Sequence, residues 1–137
     1  MSLAIIFYWM VKHKVIKAVI GGDKLEFTSD EKNEFLKAFT NLLKEANGKG
    51  PRNIYLKYFS NEIHIVIQGV VSDFEKYLIK NFGKEAIDTL TYFYERDSYN
   101  AEKTFLNMLN GKYIFRFYKL DSDFINDIFI YKMKIEE

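Results

Sequence analysis

Cysteine is absent from the 137 residues, which removes disulfides, thiolate metal sites and cysteine nucleophiles from consideration. The chain therefore stands on packing alone, and this usage fits a cytoplasmic location. An excess of one charge is missing as well: 20 Lys plus Arg against 19 Asp plus Glu leave a formal net charge of +1. No global field steers a phosphate backbone, so a basic nucleic-acid coat is disfavoured and only a local patch stays open. There is no long membrane-crossing run either. Residues 3–11 are apolar throughout but reach only about half the length needed to span a bilayer. Positive charges follow that run rather than precede it, and no small-residue cleavage site is evident, so it does not read as a signal peptide. No membrane partner is expected.

Histidine is scarce. His13 sits in a lysine-rich turn and His64 in an alternating apolar segment, and no two ligands stand at a diagnostic helical spacing. Neither a metal nor a cofactor is expected. Asp121, Asp123 and Asp127 invite a cation reading, but their spacing lacks the glycine and the distal glutamate of a calcium loop, which leaves turn capping. Asn47-Gly48-Lys49-Gly50 follows a helix and lacks the strand-before, helix-after context of a phosphate loop, so it reads as a helix end and connector.

What the chain does have is a clear hairpin. Residues 54–59 and 62–69 alternate with period two and meet at Ser60-Asn61, a two-residue loop. This register sets Tyr58 opposite Ile63, Leu56 opposite Ile65 and Ile54 opposite Ile67 on one side. Phe59 and Glu62, Lys57 and His64, and Tyr55 and Val66 pair on the other. A slip of one residue would mix the two faces.

Around the hairpin, residues 3–11 and 14–20 read as strands and residues 25–27 as a brief third. Residues 28–47 form the strongest helix, with a capping box at Thr28 and Glu31 and an apolar stripe through Phe35, Phe39, Leu42 and Ala46. A second capping box, Ser72 with Glu75, opens a helix whose buried face is expected from Phe74, Tyr77, Leu78 and Phe82. Gly83 ends or kinks it, and a continuation through Ile87, Leu90 and Tyr94 closes near residues 95–98. Asn100 is expected to cap a further short helix. Residues 112–119 alternate as a strand with Tyr113, Phe115 and Phe117 inward; residues 121–123 read as a turn, and 124–135 as the return strand.

The expected fold is α+β, one globular domain over residues 1–137. Its sheet is mixed and largely antiparallel, with helices mainly on one face, in the order β-β-α-β-β-α-α-β-β. Three functions compete. The leading expectation is a small protein-interaction or ligand-binding module that self-associates as a homodimer. Residues 3–11 are apolar on both faces, so Phe7 and Trp9 would lie in the interface, continuous with Tyr55, Phe59, Val66, Ile114 and Tyr118. The second is single-stranded nucleic-acid binding through a sheet face bearing Tyr55, Lys57, Phe59, Arg116 and Tyr118, where aromatics stack on bases and cations meet phosphate. The third is a small enzyme with His64 as acid-base residue and Glu62 fixing its tautomer. The sequence leaves open whether the protein is an enzyme.

Overall fold

The computed structural model describes residues 26–105 and 108–136. The expected strands at 3–11 and 14–20, and with them Phe7 and Trp9, lie outside the described residues. Within them, residues 26–28 are irregular rather than a strand, yet Phe27 is buried and packs its ring against Phe35 and Tyr113.

Helix α1 (Ser29–Asn47) begins where the sequence says it should. The Thr28 hydroxyl accepts from the Glu31 amide at 3.2 Å, and the Glu31 carboxylate accepts from the Thr28 amide at 2.9 Å. Two donors that a helix start leaves orphaned are thereby satisfied. Phe35, Phe39 and Leu43, four residues apart, form its buried edge. Gly48 ends it at φ 72°, a left-handed conformation in which a side chain would be strained.

Strands β1 (Asn53–Tyr58) and β2 (Glu62–Gln68) pair antiparallel in the expected register, Leu56 opposite Ile65 and Lys57 opposite His64. Together with β3 (Ile114–Asp123) and β4 (Ile128–Glu136) they make a four-stranded sheet of order β1-β2-β4-β3, every neighbouring pair antiparallel. The fold is thus α+β, with the core on one side of the sheet. Ile63, Ile65 and Ile67 of the inner strand β2 are fully buried, while Ile54, Leu56 and Tyr58 on the edge strand are only partly covered. Phe129, Tyr131, Met133 and Ile135 of β4 continue the same face.

Helices α2 (Asp73–Phe82) and α3 (Lys84–Phe105) follow, divided at Gly83, and a 3-10 turn (Met108–Gly111) leads into β3. The capping box at Ser72 and Glu75 is present, but the buried face expected of α2 is not. Phe74, Tyr77 and Phe82 are 67%, 59% and 60% exposed. The reason is Glu75, whose carboxylate accepts the amide of Ser72 and also the hydroxyl of Tyr94 on α3 at 2.9 Å, with Ile79 one turn on packed against the core. That edge of α2 faces inward, so Phe74 and Tyr77 face out; Phe82 lies on the same edge as Glu75 but at the last residue of the helix, where it is exposed. Helix α3 likewise runs through residues 95–98 and Asn100 without the expected break. Tyr94 and Ser98 are buried, and the Ser98 hydroxyl donates back to the Tyr94 carbonyl at 2.8 Å, so the polar stretch is only the rim of a packed helix.

The expected turn at 121–123 is also displaced. β3 continues to Asp123, and residues 124–127 make the turn, with Phe124 buried against Tyr94 and Phe129. Asp123 accepts from the amide and side chain of Asn126, which is turn capping as expected. Asp127 does something the sequence did not suggest. At φ 57° it turns its carboxylate onto the amides of Val70 (2.9 Å) and Val71 (3.1 Å), while its carbonyl accepts from Gly69. The β3–β4 turn is thereby tied to the segment between β2 and α2. Among the described residues, no helix is long and apolar enough to cross a membrane.

Candidate functional site

The face of the sheet turned away from the core collects most of the expected site residues. Alternation along β2 sends Glu62 and His64 there, and pairing sets Lys57 beside His64 and Lys132 on its other side. Arg116 lies opposite Lys134 on the same face. Tyr118 arrives by another route: the ladder shifts between Phe117 and Lys119, a bulge that leaves Tyr118 without a partner on β4. Its side chain crosses β4 beneath Lys134, whose ammonium lies 5.7 Å from the ring centroid, and reaches Glu62.

Glu62 is the hub. One of its oxygens accepts from the Tyr118 hydroxyl at 2.5 Å and is paired with His64 Nε2 at 2.9 Å. These two hydrogen bonds, that of Tyr118 first, hold the Glu62 carboxyl below its usual range against the opposing effect of burial. The Tyr118 phenol is pushed up to about 12, first by burial and then by the bond to Glu62 and its charge. Phe59 lies against His64 with centroids 4.3 Å apart. The structure therefore brings Lys57, Phe59, Glu62, His64 and Tyr118 together, with Tyr55 opposite Val66 one row away.

The arrangement can hold a proton and orient an imidazole, which is what acid-base chemistry requires of its supporting groups. The cleft described below, however, opens on the opposite side of the sheet, lined by Phe117, Tyr131 and Met133. The cations of this face are partly engaged already: Asp121 holds Lys132 at 2.8 Å and Lys119 at 3.4 Å. Among the described residues no group of three or more His, Asp or Glu gathers in a way that could hold a metal ion.

The link between Tyr118 and Glu62 has a signature in alkali. A phenol whose folded pKa stands at about 12, above its ordinary 10.0, contributes a stabilisation that is complete below pH 10 and lost as pH rises through 12. The difference in urea midpoint between the wild type and Tyr118→Phe is expected to hold steady at neutral pH and to shrink across that window. A difference unchanged at the upper end would contradict the bond. Glu62, with its pKa lowered, acts at the other extreme: its contribution is present above its ordinary 4.5 and is lost as pH falls below it.

A second surface escaped the sequence reading. On α2 and α3 six aromatic side chains are open to solvent: Phe74, Tyr77, Phe82, Tyr92, Phe93 and Tyr99. Arg96 lies over Phe93 at 4.9 Å, and Phe93 meets Tyr92 at 5.5 Å. The apolar stripe of α2 was legible, but not its direction. The available signal was Glu75, which serves the capping box and marks the edge of α2 turned to α3.

Comparison with known families gives a match. The family described as MpsC, Na+-translocating membrane potential-generating system, matches residues 29–109, which is α1 through the 3-10 turn and more than half of the chain. No curated protein and no solved structure matches it.

Proposed function

We propose, from the premise that this chain belongs to the MpsC family, that it is a cytoplasmic protein-interaction module that self-associates as a homodimer through the aromatic surface of α2 and α3. The observation that carries this reading is the exposure of Phe74, Tyr77, Phe82, Tyr92, Phe93 and Tyr99, between 42% and 67% each. At roughly 200 Å² per aromatic side chain, half of it open, these residues present about 600–700 Å² of largely apolar surface per protomer. Summed over the two helices, that is of the order of the largest apolar patches of soluble monomers, which are often functional. Two copies would bury about 1,300 Å², within the range of about 1,200–2,000 Å² of stable interfaces. Tyr and Arg are enriched where binding energy concentrates, and Arg96 over Phe93 supplies such an anchor. A two-fold pair is the default because it is the commonest closed assembly. The family's description names a Na+-translocating system. In that setting the folded domain described here serves as a contact-making part rather than as an ion path.

Sedimentation equilibrium over micromolar concentrations tests the reading. The expected mass is twice the 16.3 kDa of one chain, and it should fall to the single-chain value in Phe74→Glu and Phe82→Glu, two exposed positions where the charge leaves the fold intact. A wild type that remains at the single-chain mass would defeat self-association. Tyr118→Glu is the comparator for the sheet face: dissociation by that change alone would move the contact there.

A further inference from the structure

The core side of the sheet is not fully closed. Helices α1 and α3 lie on it with a cleft of about 70 Å³ between them. Phe117, Tyr131 and Met133 form its floor. The last turns of α1 give one wall, through Phe39, Leu42, Leu43 and Ala46, and Tyr94 and Ser98 of α3 give the other. Protein interiors pack to the density of organic crystals and leave few voids larger than a water molecule, so a space of this size beside the core is a feature to be explained.

Its polarity is unevenly distributed. The Ser98 hydroxyl donates to the Tyr94 carbonyl, and the Tyr94 hydroxyl donates to Glu75, so both donors are already committed inside the protein. Burial pushes the Tyr131 phenol up, which keeps that group neutral. A water molecule in the floor would find few of the two to four polar partners it needs, which favours an apolar occupant. The free polar chemistry is at the mouth, in Asn47 and Asp97. The Asp97 side chain is 44% exposed, and its ion pair with Arg96 is long, at 4.0 Å, and weak for an exposed pair. Its carboxylate is thus available to a cation arriving at the cleft.

The geometry points to a binding site for a small alkylamine, its short aliphatic end between α1 and α3 and its ammonium group at Asp97. Size limits the aliphatic end: a cavity of about 150 Å³ takes a benzene ring, and this cleft has about half that volume, which suits a group of about two or three carbons. Charge selects the head, because Asp97 is the charged group among the lining residues and it is an anion. This site adjoins the aromatic surface proposed for self-association, through Arg96 beside Asp97 and Tyr99 against Phe117, but does not depend on it.

The test is a chemical-shift titration of the full chain with propylamine, propanol and propionate, three molecules that share a short alkyl end and differ in the head. Saturable shifts are expected at the amides of Leu43, Tyr94 and Ser98, with the amine binding most tightly, the alcohol less and the acid least. Asp97→Asn should bring the amine to the level of the alcohol, a loss of about threefold to fivefold, as an exposed ion pair allows. Ala46→Phe should abolish saturation by all three while preserving the fold, because Ala46 is exposed at the rim and the added ring occupies the cleft rather than the core. The proposal is overturned if none of the three saturates, if the shifts survive Ala46→Phe, or if propionate binds as well as the amine.

Discussion

Replacing Phe35 with alanine is expected to lower the free energy of unfolding by about 3–5 kcal/mol. The ring is fully buried and sits between Phe27 at 5.5 Å and Phe115 at 5.3 Å, so its removal takes apolar surface out of the core and leaves a void that these neighbours cannot close. A domain of this size has about 5–15 kcal/mol in all, so the variant would lie near the edge of folding. Urea denaturation followed by circular dichroism reads the change directly. Ile65→Ala, also at a fully buried position, belongs at about 2–5 kcal/mol, and Leu56→Ala on the partly covered edge strand should fall below it. If Phe35→Ala left the midpoint unchanged, α1 would not be packed on the sheet as described.

Asp127→Ala is expected to cost at least about 3 kcal/mol, although Asp127 is polar and lies in a turn. Its carboxylate is the acceptor for the amides of Val70 and Val71, both fully buried residues. Alanine would leave those two donors without their acceptor, at about 1–3 kcal/mol each, and would also have to hold φ at 57°, which costs roughly a further 1–2 kcal/mol outside glycine, asparagine and aspartate. Asp127→Asn keeps one acceptor and the tolerated backbone and should lose much less. Asp123→Ala, which removes only the exposed cap of Asn126, should cost less still. Equal midpoints for the Asp127 and Asp123 alanine variants would show that the tie between the turn and residues 69–71 contributes nothing.

The contrast between these two aspartates shows how far the sequence could be read. Features set by neighbouring residues were legible: the capping boxes at Thr28 and Ser72, the left-handed end at Gly48, and the β1–β2 register, which the alternation of Ile54, Leu56 and Tyr58 against Ile63, Ile65 and Ile67 specifies. Features set by distant partners were not. Asp127 finds its ligands 57 and 56 residues away, and no local pattern encodes that reach. The direction of α2 depends on Glu75 meeting Tyr94 on another helix, so Phe74 and Tyr77 looked buried when they are exposed, and Phe82 is exposed at the helix end. On the sheet face, Glu62, His64 and Lys57 could be grouped from register alone. That Tyr118 completes the group could be guessed only as a shared side of the sheet, since its reach depends on the irregular step in β3.

That irregular step also governs where the chain can change length. Phe115 and Phe117 point inward two residues apart, and the next inward residue, Leu120, comes three later. Deleting Tyr118 restores an interval of two, so every inward residue of β3 keeps its side, and what is lost is the hydroxyl that serves Glu62 and the ring beneath Lys134. Deleting Arg116 instead would turn Phe115 outward relative to Phe117 and set the strand against its own core. A one-residue deletion is therefore tolerated at the position that completes the polar trio and penalised two residues earlier, so descent could remove this tyrosine without first dismantling the domain that carries it.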